Sequence, residues 1–288
     1  MPHCLGSLFS PLIANRHLHK LGLILNPVCL FALATGMAAS LGTGLLTLVG
    51  GLEQVAGVQK SSLTLGLMTM LIVAGFLQSS IKGVRSGISK LAGLSSWTLI
   101  LLVLFVFLAG PTEFIVRSFL SAFPRFIIEM PQRALAGGDP FHPGNWSFDW
   151  TIFYWAVWMA WAPVTAAFLG QIGYGRSVRD FILMNLIVPA MFSAIWMAVF
   201  SGAAIYYETV AHAGFASVIK SSGAESGSYM LFRQLPFSGA VIPLFIFISW
   251  LSFVSGADAN TTAMATISQR GITQDRHEPS GGLKVAWG

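Results

Sequence analysis

Three tryptophans share a spacing that could do chemistry. Trp155, Trp158 and Trp161 recur every three residues in the uncharged run after Asp149, and on a helix that spacing drifts slowly around one side. Stacked indole faces suit a desolvated cation, above all a quaternary ammonium that has no hydrogen bond to donate. An aromatic belt at the membrane surface accounts for Trp150 and Trp155 but not for Trp158 and Trp161, which lie deeper along the run. The same spacing also suits plain helix packing, so the residues alone leave a cation site and a packing stripe both open. Pro163 lacks a backbone donor just after the last tryptophan, which predicts a bend or local unwinding there.

Other chemistries find no constellation. The six histidines, His3, His17, His19, His142, His212 and His277, fall in loops by this reading, and none pairs at helical spacing with a second ligand. Cys4 and Cys29 form no ligand motif, and neither is placed for a structural disulfide. An intramembrane enzyme would need a Ser/His pair, an Asp pair or an HExxH helix. Asp258 is the lone carboxylate within an apolar stretch. An intramembrane carboxylate is a functional candidate, yet this one lies near the end of its stretch, where solvation or pairing with Arg270 serves equally well.

The elements that must position these residues follow from the charges. Charged residues make up 9% of 288, against about 25% in an ordinary soluble domain, and mean hydropathy is +0.71. They cluster between uncharged stretches long enough to cross a bilayer, at about 20 residues each. Six such stretches lie between Lys20 and Glu53, Lys60 and Lys82, Lys90 and Glu113, Asp149 and Arg176, Asp180 and Glu208, and about Leu235 and Asp258, the last running on to Gln269. Each lacks strict alternation, so the fold class is an all-α integral membrane protein. This excludes a cytosolic enzyme, a nucleic-acid reader and a disordered chain. The first stretch exceeds the membrane thickness and carries Gly36, Gly42, Gly44, Gly50 and Gly51, which predicts a tilted, closely packed helix. The segment from Phe114 to Leu135 mixes Phe119, Phe123, Phe126 and Ile127 with Arg117, Arg125, Glu129 and Arg133, as in an interfacial amphipathic helix or a brace on the bundle's outer face.

Orientation follows from basic residues in short loops. One set of loops holds Arg16, Lys20, Lys82, Arg85, Lys90, Arg176, Arg179, Arg270, Arg276 and Lys284; the other dilutes its lysines and arginines with Glu53, Glu113, Glu208 and Glu225. The first set is therefore expected on the cytoplasmic side together with both termini, in the cell's inner membrane. The net charge of +5 then reflects loops near anionic headgroups and requires no nucleic acid.

The run from Trp150 to Pro163 resembles the signature of the betaine/carnitine/choline transporter family. It matches at Trp150, Thr151, Tyr154, Trp155, Trp158, Trp161 and Pro163, while Val157 stands where the family usually has another Trp. The run Gly173 to Phe181 resembles the basic loop that follows that helix, and Phe253 to Asn260 resembles the family's S-A-D segment. Gly110 to Thr112, Gln269 to Gly271 and Glu278 to Ser280 agree as well. The likeness extends from about residue 22, which divides the chain into an unassigned leader (1–21), a transmembrane transporter region (22–269) and a loop with the start of a further helix (270–288).

The resemblance implies a helical fold with two inverted repeats, of which this chain is expected to hold about the fifth to tenth helices. It implies a secondary transporter of glycine betaine, choline or carnitine working by alternating access, expected to be inactive alone because truncated. A non-transporting membrane subunit, or the remnant of a disrupted transporter gene, is the alternative. By position, Trp158 is implied as a wall of the substrate site, with Trp155 and Trp161 beside the path. Ser252 through its carbonyl, Ser255 and Gly256 match positions that hold sodium in coupled members, and Gly256 brings no hydroxyl. No other cofactor is implied. The partners are a quaternary ammonium solute and the lipid bilayer, with a homo-oligomer also allowed.

Overall fold

The computed structural model describes residues 15–81, 85–135, 147–173, 175–269 and 281–287. Among these there is no strand. Each of the six expected stretches is helical: α1 (Asn15–Ala56), α2 (Ser62–Ile81), α3 (Arg85–Ala109), α5 (Phe153–Ile172), the pair α6 (Val178–Ile182) and α7 (Val188–Thr209), and α10 (Ser238–Ser268). The amphipathic α4 (Thr112–Leu135) follows α3, short helices α8 (Phe215–Ser222) and α9 (Ser226–Arg233) precede α10, and α11 (Gly281–Trp287) comes last.

Among the described residues, several of these helices are long and apolar enough to cross a membrane. Lys20–Ala56, Val178–Thr209 and Ser238–Ser268 pass, and Gly93–Ala109 with Thr112–Gln132 form a fourth candidate bent by 105°. Helices thus stand at each of the six expected places, and among the described residues three, or four with the bent pair counted as one span, are long and apolar enough to cross a membrane.

Local irregularities have backbone causes. Leu183–Ile187 widens into a π turn between α6 and α7, with the Val188 amide donating to the Leu183 carbonyl. Pro189 follows directly; its nitrogen has no hydrogen to donate to the carbonyl four residues back and its ring crowds that carbonyl, which the wider turn accommodates. A second π turn, Ser147–Ile152, leads into α5. Contrary to the expectation of unwinding at Pro163, α5 stays helical through that position. One lost donor is carried by the bonds on either side.

The bend between α3 and α4 turns the chain onto the outside of the bundle. At its first turns α4 braces α7: Ile115 is buried against the backbone space left by Gly202, and the Phe114 ring meets Tyr206 edge-on at 5.4 Å. Beyond that, Leu120, Phe123, Phe126, Ile127 and Ile128 are exposed. The helix thus serves both readings of its sequence, as a brace in its first turns and an apolar ribbon in the rest.

Two apolar clusters hold the chain together, and α10 contributes to both. One gathers Leu102, Val106, Ile115, Val199, Ala203, Phe215, Phe232 and Ile242 from α3, α4, α7, α8, α9 and the start of α10. The other gathers Leu33, Met37, Leu48, Ile72, Phe76, Val254, Ala257 and Met264 from α1, α2 and the later turns of α10. Glycines set the approach of α1. A Cβ on Gly44 would collide with the Phe253 ring, and one on Gly51 would lie 2.5 Å from Ile246 Cγ1 and 2.6 Å from the Tyr229 hydroxyl. Gly42, by contrast, faces open space.

One end of the bundle is tied by polar contacts among loops assigned to one side from their charges. Lys60 forms an ion pair with Glu225 and donates to the Ser222 carbonyl at 2.6 Å, with Glu53 at 4.0 Å. Tyr229 donates to the Thr47 carbonyl at 2.6 Å, and Arg233 reaches the Gln54 carbonyl at 3.3 Å. Burial, and after it the Glu225 charge, hold the Tyr229 phenol far above its ordinary range, so it remains a donor. Glu208 accepts from the Phe215 amide at 2.6 Å, capping α8.

Two predictions follow from this packing. Gly44→Ala forces Phe253 to move and is expected to lower stability by about 1–3 kcal/mol, whereas Gly42→Ala is expected to be neutral or to add up to about 1 kcal/mol of helix propensity; thermal unfolding of the two purified variants side by side checks the contrast. Lys60→Met leaves the Glu225 carboxylate, only 13% exposed, without its cation, and a loss of about 1–3 kcal/mol is expected in the same assay.

Candidate functional site

The tryptophan ladder of α5 meets α1 and α10 at a cleft of about 360 Å³. Val157, Trp158 and Trp161 line it from α5, Met37, Ser40 and Leu41 from α1, and Ser252, Phe253, Gly256, Ala257 and Asn260 from α10. Its volume lies at the small end of ligand sites. None of these lining side chains carries a charge.

The local sequence explains how each wall is built. On α10, Ser252, Gly256 and Asn260 are four residues apart and therefore stack on one face. On α1, Gly36 makes room for α5: a Cβ there would stand 3.2 Å from the Trp161 indole nitrogen. Trp158 is 66% exposed in this chain, with Trp161 half-buried beside it. Val157 presents a small side chain to the cleft where an indole would otherwise fill it.

The residues expected from the sequence divide accordingly. Trp158, Trp161, Ser252 and Gly256 come together around one cleft, although 91 residues or more separate the first pair from the second in the chain. Trp155 is 62% exposed and is not among the cleft's lining residues. Ser255 is also not among them, being turned away on α10 relative to Ser252 and Gly256. Arg270, suggested as a partner for Asp258, lies outside the described residues; Asp258 itself is engaged in an interaction within the structure.

The sodium positions make an incomplete oxygen set. The Ser252 carbonyl lies inside the unbroken helix α10, where it serves the amide four residues on. The Ser252 hydroxyl is paired with that of Ser95 on α3 at 2.8 Å. Gly256 offers no side-chain oxygen, and open space surrounds the position its Cβ would take. These residues do not fit a bound sodium as they stand, and no step below is routed through one.

What the arrangement can do chemically follows from its lining. An ordinary ammonium entering it would lose water and find few acceptors. A quaternary ammonium has no donor to satisfy and would gain from the indole faces. Sequence reasoning did not single out Met37, Ser40, Phe253 or Asn260. The repeat Ser252, Gly256, Asn260 was a usable signal for the α10 wall; no local signal marks Ser40, because its place depends on how α1 meets α10.

The whole chain, residues 1–288, matches the family described as BCCT, betaine/carnitine/choline family transporter. It is 28% identical to a probable glycine betaine transporter of Desulfitobacterium hafniense (strain Y51), over 100% of this chain and 56% of that protein. It is 30% identical to an ectoine/hydroxyectoine transporter of Virgibacillus pantothenticus, over 91% of this chain and 51% of that protein. It is 26% identical to the glycine betaine transporter OpuD of Bacillus subtilis (strain 168), over 100% of this chain and 55% of that protein. The chain spans about half the length of the curated relatives it matches. The matched range includes residues 1–21, which the motifs alone left unassigned; of these, residues 1–14 lie outside the described structure. With the signature residues on α5, membrane-long apolar helices and a family match over its full length, the chain is an integral membrane protein that belongs to the betaine/carnitine/choline family of transporters.

Proposed function

We propose that this chain supplies one wall of the solute site of a secondary transporter for compatible solutes of the quaternary ammonium class, with glycine betaine as the first candidate. One observation carries the reading: Trp158 and Trp161 face neutral polar side chains across a cleft with an uncharged lining. Two of the relatives are named for glycine betaine, a solute whose cationic end suits an indole wall.

Transport would proceed by alternating access, the cleft opening to either side as one group of helices rocks against another. The basic residues of the short loops support an orientation with both termini in the cytoplasm, as expected for a protein of the cell's inner membrane. Val157 widens the cleft beside Trp158 and is the position at which solute choice would depart from members with a further indole there.

Two measurements test the reading. Trp158→Ala is expected to weaken binding of a quaternary ammonium by about 1–2 kcal/mol, the scale of a desolvated cation on an aromatic face; equilibrium binding that is unchanged removes Trp158 from the site. Comparing solute binding in sodium and potassium media should show little difference, because the α10 positions offer an incomplete oxygen set; a clear preference for sodium would show that they hold the ion.

A further inference from the structure

The cleft has a polar end as well as an aromatic one. Asn260 and Ser40 both line it, and among the described residues neither side chain has a hydrogen-bond partner. Several polar side chains on the same helices are engaged: Thr43, Thr47 and Thr266 each bond back to a carbonyl of their own helix, and Ser252 pairs with Ser95, while the Thr261 hydroxyl is buried beside Asn260 without a partner. Both residues are partly exposed, so the donors of Asn260 and Ser40 are open to a group that enters the cleft.

The register between helices places these groups. Gly44 packs on Phe253 and Gly51 on Ile246, so seven residues forward along α1 match seven residues back along α10. The helices are therefore antiparallel, and the same register continued puts Met37 level with Asn260 and Ser40 level with Ala257. Gly36, one residue before Met37, packs on Trp161. Asn260 thus stands at the level of Trp161. Trp158 lies three residues away along α5, about 4.5 Å at helical rise.

We infer that Asn260, assisted by Ser40, binds the carboxylate end of the solute and makes the site selective for zwitterionic quaternary ammonium compounds over simple cations. The inference rests on the function proposed above and adds the recognition of the second end. The ammonium group would rest on the indoles while the carboxylate, a short spacer away, accepts from the Asn260 carboxamide N–H and the Ser40 hydroxyl. Neutral donors suit this task. A lysine or arginine there would hold the carboxylate more strongly, but it would repel the cationic end in the same small cleft.

Equilibrium binding to the full chain in lipid nanodiscs, with glycine betaine and tetramethylammonium as probes, tests this. Tetramethylammonium reports on the indole wall alone because it has no acceptor. Asn260→Ala is expected to weaken glycine betaine about tenfold, the scale of one hydrogen bond to a charged group, and to leave tetramethylammonium within about twofold. Asn260→Asp sets a carboxylate against the solute's own and is expected to reverse the preference, weakening glycine betaine further while tightening tetramethylammonium. Ser40→Ala should move glycine betaine in the same direction by a smaller factor.

Equal weakening of both probes by Asn260→Ala, or an unchanged preference in Asn260→Asp, would overturn the assignment while leaving the indole wall standing. Failure of the parent chain to bind either probe, or an unchanged affinity for tetramethylammonium in Trp158→Ala, would instead remove the proposed site and this inference with it.

Discussion

The close approach of α1 and α10 is the constraint on which the rest of the structure depends. It exists because α1 carries glycine wherever a large side chain of a neighbour must come in: Gly36 under Trp161, Gly44 under Phe253, Gly51 under Ile246 and Tyr229. Within a bilayer, lipid tails are as apolar as any side chain, so helices associate through close packing more than through the hydrophobic effect. The glycines convert that requirement into position. Once α1 and α10 are in register, α5 docks on the middle of α1, and the cleft is what remains where α5 faces α10 across it.

The polar contacts at one end act on the same pair of helices from outside. Lys60 ties the segment after α1 to the turn between α8 and α9, and Tyr229 ties α9 to the backbone of α1 itself. The Lys60 and Glu225 side chains are 27% and 13% exposed, so their pairing is less screened than that of the fully exposed Glu113 and Arg117. Short helices α8 and α9 thereby join the two apolar clusters, which otherwise share only α10.

Much of this was legible in the sequence because it is local. Gaps between charges located the helices, the glycines of the first stretch announced a packed helix, and the three-residue spacing of Trp155, Trp158 and Trp161 drew attention to the helix that lines the cleft. What was not legible depends on contacts between distant segments. Asn260 reads as one more polar residue at the end of a long helix until the α1 register brings it level with Trp161, and Ser40 reads as one more small residue among glycines. Trp155 has the same spacing as its neighbours but falls outside the cleft, since rings three residues apart drift around the helix and only part of the ladder can face a given neighbour. Of the bend or local unwinding expected at Pro163, the unwinding is absent, while the turn before Pro189 does widen.

The uncharged lining of the cleft also bears on the conditions in which such a site can work. Attraction between exposed charges fades as salt is added, with a screening length of about 10 Å at 0.1 M and about 3 Å at 1 M. A site that held a zwitterion by one basic and one acidic side chain at the surface would weaken as the surrounding brine strengthened. In the site proposed above, indole faces and neutral donors in contact with the solute would leave little room for ions to intervene. Binding built this way would keep its strength in concentrated salt.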